Sequence, residues 1–212
     1  MESTLVIWDW DNTLSDTFDA LYDAHIDLCD KYGKRHVTRA EVLSAICGEG
    51  VPFWQELFGG TDHDERSQFY YEQSAVRLKQ KAGLMKDAVK VLDWLKSRQI
   101  KQIIVSNQMQ WLLDIECERL GVASYFERIV GRIDDLKKPH QDYLERALKG
   151  LDYHSCMVIG DGLSDMKTAQ NLGAFALLVR KHDPIPSMPY DKHVHTLAEA
   201  ILFFETYFDC RN

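Results

Sequence analysis

The sequence is short of three things. It has no block of lysine and arginine: 25 basic residues are set against 33 acidic ones, for a net charge of −8. Affinity for a phosphate backbone comes mainly from clustered cations, which excludes a general nucleic-acid binder. Cysteines are few, and the five present (Cys29, Cys47, Cys117, Cys156 and Cys210) are scattered with no C-x-x-C pair. Neither a disulfide framework nor a zinc ribbon is expected, and reduced thiols in a cytoplasm are the plain reading. Long apolar runs are missing too. The apolar N-terminal stretch is interrupted by Asp9 and Asp11, unlike a signal peptide, and no window approaches the roughly 20 apolar residues of a membrane span. The expectation is a cytoplasmic chain with neither nucleic acid nor membrane as partner. The sequence carries no signal for its oligomeric state.

What is there suffices for a real core: 45% of the 212 residues are apolar and 11% aromatic. Four short apolar runs rich in β-branched or aromatic residues stand out: "LVIW" at 5–8, "QIIVSN" at 102–107, "CMVIGDG" at 156–162 and "FALLV" at 175–179. Runs this continuous suit strands covered on both faces, as in a parallel sheet. Helical patterns lie between them. Ala88, Val91, Leu92 and Leu95 share one side of 84–98, and Met166, Ala169 and Leu172 one side of 164–173, with Gly173 at the C-terminal cap. Alternating strand and helix predict an α/β, Rossmann-like parallel sheet core with helices on both faces.

Residues 16–83 break the alternation. "FDALYDAHIDLCDKYG" ends at Gly33, "TRAEVLSAI" opens on a capping Thr38, and "HDERSQFYYEQSAVRLKQKAG" ends at Gly83. This interval reads as an inserted helical subdomain, leaving 1–15 and 84–212 as the α/β core. The tail, "DPIPSMPYDKHVHTLAEAI", reads as a proline-rich loop, a short edge strand at 192–195 and a final helix. His193 and His195 would share one side of that strand, and without a third ligand they read as surface residues.

Ligands of open α/β sheets bind outside the carboxyl ends of the strands. Those ends carry Asp9, Asp11 and Thr13; then Ser106 and Asn107; then Lys137, Lys138 and Pro139 ahead of a helix; then "GDGLSD" with Asp161 and Asp165. Singly, each has an ordinary reading. "DWDNT" could be an Asx turn and a helix cap, "SN" a turn, "KKP" a solvated basic pair with Pro at the first helical position, and "GDGLSD" a tight turn before a capped helix. Together they supply several carboxylates, a hydroxyl and a fixed cation. Carboxylates gathered at one point need compensation, and oxygen ligands with no His or Cys nearby favour Mg²⁺. Such a site suits a phosphoryl group, with one carboxylate left to attack phosphorus.

The ordered set "DWDNT", "VSN", "KP" within "KKPHQDYL" and "GDGLSD" resembles the haloacid dehalogenase superfamily, in its phosphatase branch with a helical cap inserted after the first motif. The resemblance covers essentially the whole chain. It implies that Asp9 is the nucleophile and Asp11 the general acid and then base. Ser106 would donate to the phosphoryl oxygens, Asn107 shape that turn, Lys138 bridge phosphate and Asp9, and Thr13 order the loop. Mg²⁺ would be held by Asp9, the backbone carbonyl of Asp11 and Asp161, with Asp165 in or near that shell. Lys138 rather than Lys137 follows from the Lys-Pro junction. Gln141 departs from the family pattern, which often has a second Pro there.

Within that family, dehalogenases lack an acid two residues after the nucleophile, because displacing halide needs no proton. Asp11 is present. Mutases of the capped branch carry a His about a dozen residues after the nucleophile, where this chain has Leu21, with His25 a turn too late. Phosphonatases use a cap lysine as a Schiff base, and Lys31, Lys34, Lys79 and Lys81 sit in ordinary contexts. Hydrolysis of a small-molecule phosphate monoester, as in phosphoglycolate phosphatases, is the function implied; a catalytically silent binding module on the same fold is the rival. Specificity is expected in the cap, at a loop over "ICGEGVPFWQELFGG" (46–60), with Gly48, Glu49 and Gly50 as substrate contacts. Phe53, Trp54 and Phe58 would line a pocket or, more simply, form the cap's own core, and "FYY" at 69–71 would pack a helix.

Overall fold

The computed structural model describes residues 3–46, 53–58, 63–184 and 187–209. The chain divides into two compact units, one running up to Ser15 and resuming at Leu84, the other spanning Asp16–Gly83. In the first unit, β1 (Thr4–Trp8), β4 (Lys101–Met109), β5 (Arg128–Arg132), β6 (Ser155–Gly160), β7 (Phe175–Val179) and β8 (Lys192–Val194) form one sheet in the order β5-β4-β1-β6-β7-β8. Every pairing in it is parallel. Two short strands, β2 (Ser15–Asp16) and β3 (Gly83–Leu84), pair as a separate sheet where the chain passes between units.

The continuous apolar runs exist because the sheet is covered on both faces. Along β1, Val6 and Trp8 join one core cluster and Leu5 and Ile7 the other, and β6 divides the same way, Met157 and Ile159 against Cys156 and Val158. Strand side chains alternate between faces, so a strand buried on both must be apolar throughout. One layer is built by α5 (Ala88–Ser97), α6 (Gln110–Arg119) and α9 (Leu197–Asp209), the other by α7 (Gln141–Leu148) and α8 (Leu163–Leu172). Burying one such Leu, Ile or Val contributes roughly 1.5–3 kcal/mol. The polar Gln102 is admitted because it is satisfied: it accepts from Trp8 Nε1 at 3.0 Å and donates to the Leu92 carbonyl at 3.2 Å.

The second unit holds α1 (Phe18–Lys31), α2 (Arg39–Ile46), α3 (Phe53–Phe58) and α4 (His63–Lys81). Its core gathers Leu28, Cys29, Val37, Val42 and Phe58, with Trp54, Phe69 and Tyr70 packed against them. Trp54, Phe58, Phe69 and Tyr70 are therefore packing residues of this unit. The start of α2 is a capping box: Thr38 Oγ1 accepts from the Glu41 N–H at 3.2 Å, and Glu41 Oε2 accepts from the Thr38 N–H at 2.7 Å.

Some expectations need correction. The loop proposed over 46–60 is broken by α3, which turns Trp54 and Phe58 into the core. Pro139 does not start α7: that helix begins at Gln141, with His140 as its cap. The edge strand β5, "RIVGR", is an element the apolar-run reading passed over, because arginines bound it and only Gly131 in it is fully buried. Among the described residues no helix is long and apolar enough to cross a membrane.

Candidate active site

All the strands of a parallel sheet end on one edge, and the candidate residues collect there. Asp9 follows β1 directly, its N–H still bonded to the Ile159 carbonyl at 2.8 Å. Ser106 and Asn107 lie near the C-terminal end of β4, Asp161 follows β6, and Asp165 stands in the first turn of α8. Lys138 comes from the loop between β5 and α7. It is buried, whereas Lys137 is exposed.

Lys138 ties the group together. Its Nζ donates to Asp9 Oδ1 and to Asp165 Oδ1, both at 2.6 Å, while its own N–H donates to Asn107 Oδ1 at 2.8 Å. Thr13 Oγ1 donates to Asp9 Oδ2 at 3.0 Å. Asp165 Oδ2 accepts the Gly162 N–H at 3.0 Å, so its carboxylate caps α8 as well as holding the lysine. Asn107 thus positions the Lys138 backbone, and Thr13 and Lys138 together fix both Asp9 oxygens.

The electrostatics are lopsided. Oxygens of Asp9, Asp161 and Asp165 lie within 4.8 Å of one another. Two like charges at 4.8 Å cost about 3.5 kcal/mol at an effective dielectric of 20. Against three carboxylates the Lys138 ammonium supplies one charge, and Asp9 and Asp161 respond. Burial first, then Asp165, pushes Asp9 up to about 6 against the pull of Lys138. Burial, then Asp9 and Asp165, raise Asp161 well above the usual carboxylate range against Arg180 and Lys138. For Lys138, burial opposes the charge, but the carboxylates of Asp165 and Asp9 outweigh it and raise the lysine. Three carboxylates and one ammonium leave two negative charges, which a divalent cation matches, and the all-oxygen donor set fits a hard one.

Asp11 and Ser106 complete the edge. Gln108 Nε2 donates to Asp11 Oδ1 at 3.2 Å, and the Gln108 N–H donates to Ser106 Oγ at 3.1 Å. The Ser106 carbonyl accepts from the Tyr143 hydroxyl at 2.6 Å, which anchors the end of β4. Gln108 and Tyr143 are site neighbours that motif reading did not supply. Gly48, Glu49 and Gly50 lie outside the described residues. His193 is not at this edge cluster; its Nε2 meets the Arg180 carbonyl at 2.9 Å, and its ring lies 4.6 Å from that of His195.

Residues 6–179 match the family described as haloacid dehalogenase-like hydrolase. The chain is 24% identical over 177 residues to "Pyrophosphatase PpaX" of Bacillus velezensis, covering 80% of each protein. Among solved structures it resembles a haloacid dehalogenase-like family hydrolase of Streptococcus pneumoniae, with a TM-score of 0.78 and 20% identity over 95% of this chain and 98% of that one. It also resembles a protein of Lactobacillus delbrueckii subsp. bulgaricus assigned as a phosphoglycolate phosphatase, with a TM-score of 0.77 and 19% identity over 95% and 98% of the two chains.

Proposed function

The chain belongs to the haloacid dehalogenase-like hydrolases, and on that premise we propose that it is a Mg²⁺-dependent phosphatase that hydrolyses a small-molecule phosphate monoester through a phosphorylated Asp9. The observation that carries the reading is the buried Asp9 carboxylate, held by Lys138 and Thr13 beside Asp161 and Asp165, two residues from a second acid. On this reading Asp9 is the nucleophile and Asp11 its proton donor.

Asp9 attacks phosphorus, an Asp9 oxygen–phosphorus bond forms, and the bond from phosphorus to the leaving oxygen breaks. Asp11 gives its proton to that leaving oxygen. Ionised Asp11 then takes a proton from water as the water oxygen bonds to phosphorus and Asp9 is released. Lys138 and Ser106 donate to the phosphoryl oxygens; Ser106 Oγ already accepts from Gln108, which leaves its O–H free to point outward. Asp9, Asp161 and the Asp11 carbonyl, with Asp165 in or near the set, would hold Mg²⁺. Bound there, the cation offsets the repulsion between the acids and draws charge from the phosphoryl oxygens.

Asp11 argues against a dehalogenase, and so costly a gathering of like charges argues against a silent binding module. The test is p-nitrophenyl phosphate hydrolysis with and without Mg²⁺, followed by a panel of sugar phosphates, nucleotides, phosphoglycolate and, prompted by the PpaX relative, pyrophosphate. Mg²⁺-dependent turnover is expected, with Asp9→Asn losing it by about a thousandfold or more while remaining folded. No turnover of any ester would favour the binding module, and near-normal activity in Asp9→Asn would remove Asp9 from its role.

A further inference from the structure

Gln108 is a buried polar side chain beside Asp11 to which the reaction above gives no task. We propose that Gln108 is a positioning residue that aims the Asp11 carboxyl at the leaving oxygen and then at the attacking water. The inference rests on the phosphatase reading and names what makes Asp11 effective in it.

Three observations carry it. First, Gln108 is only 7% exposed, and its Nε2 donates to Asp11 Oδ1 at 3.2 Å across 97 residues of sequence. A long, flexible side chain held in one geometry costs rotamer freedom, so the contact is expected to serve something. Second, the backbone is shaped to make it. The β4–β5 register, regular through Val105↔Val130, shifts before Met109↔Arg132. Such irregularities re-aim side chains next to sites, and this one covers Ser106, Asn107 and Gln108. Third, Gln108 Oε1 is buried without a hydrogen-bond partner. Buried acceptors are rarely left so, and an O–H of the reacting water or alcohol is the donor that the neighbouring acid is there to serve.

The choice of an amide follows from the surroundings. Asp11 stands two residues from Asp9, in a cluster already rich in negative charge. A neutral donor orients its carboxyl without adding charge, whereas a carboxylate at position 108 would repel it. Positioning of this kind matters because a proton donor works only within hydrogen-bond reach of its target.

Two variants separate this role from a structural one. Gln108→Met keeps length and packing and removes the donor; Gln108→Glu keeps shape and sets an oxygen against Asp11. Each is measured on the best alkyl phosphate of the substrate panel, whose leaving oxygen needs a proton, and in the pre-steady-state burst of p-nitrophenyl phosphate, whose leaving group departs as the anion. Expected is a fall in kcat on the alkyl ester of about thirtyfold or more with KM within about threefold, while the nitrophenolate burst rate changes by less than about threefold. Added to Asp11→Asn, Gln108→Met should slow turnover by less than about twofold further, because both act through one group. An alkyl-ester kcat within threefold of wild type, an equal loss in the burst, or losses that multiply in the double variant would overturn the inference. A wild type that turns over neither ester with Mg²⁺ would instead overturn the phosphatase reading, and the inference with it.

Discussion

At the end of β6 a single missing methyl makes room for the site. A Cβ on Gly160 would lie 2.3 Å from Asp165 Cγ and 2.4 Å from Asp165 Oδ2. Asp165 cannot easily yield, because one oxygen holds Lys138 and the other caps α8. Gly160→Ala is therefore expected to push Asp165 aside and loosen the Lys138 that orients Asp9. Turnover should fall by about tenfold or more, with a stability loss of about 1–3 kcal/mol in urea titration. An alanine variant with wild-type kcat and midpoint would show that Asp165 has slack that the close contact denies. The four motifs were legible in the sequence, since they are acids and a hydroxyl at strand ends and a lysine ahead of a helix. Gly160 and Gln108 were not. A glycine's role depends on what approaches it in space, and Gln108 reaches Asp11 only because β4 lies beside β1 and shifts register at its end.

The elements that could be read were those whose burial is uniform. β1, β4, β6 and β7 are covered on both faces, so composition alone marks them. The edge strand β5 is not. Arg128 uses its guanidinium on the Ala147 carbonyl at 2.6 Å, and the Gly131 N–H donates to Gln110 Oε1 at 2.6 Å, so tertiary bonds rather than an apolar pattern hold it. The three longer helices of the second unit announced themselves by length and by caps such as Thr38 and Gly33. Helix α3 has six residues, too few for a helical period to emerge, and Trp54 and Phe58 read equally well as a loop or a core. What decided these two was contact with Tyr70 and Tyr32, which no local pattern encodes.

Across the whole molecule, the second unit carries its own proton-linked contribution to stability. His25 is buried among aromatics, its ring 4.5 Å from Tyr70 and 5.7 Å from Trp54, with Nδ1–H donating to the Leu21 carbonyl at 2.7 Å. Burial lowers it to about 4, against the raising effect of the Leu21 bond. The unfolded chain then takes up this proton before the folded one does, so stability is full above about pH 6.5 and falls as pH drops toward 4. Urea titrations over that window should show wild type losing roughly 3 kcal/mol more than His25→Leu. Parallel curves for the two proteins would mean that His25 is protonated in the fold.

The central claim is that Asp9 carries phosphorus, and intercepting the phosphoenzyme tests it most directly. The protein is mixed with Mg²⁺ and the best ester of the panel, quenched in acid within the first turnover, and its peptides are read by mass spectrometry. One phosphoryl group on Asp9, absent in Asp9→Asn and absent without Mg²⁺, is the predicted result. Hydrolysis proceeding with phosphate on another residue, or in an Asp9→Asn protein that turns over normally, would contradict it.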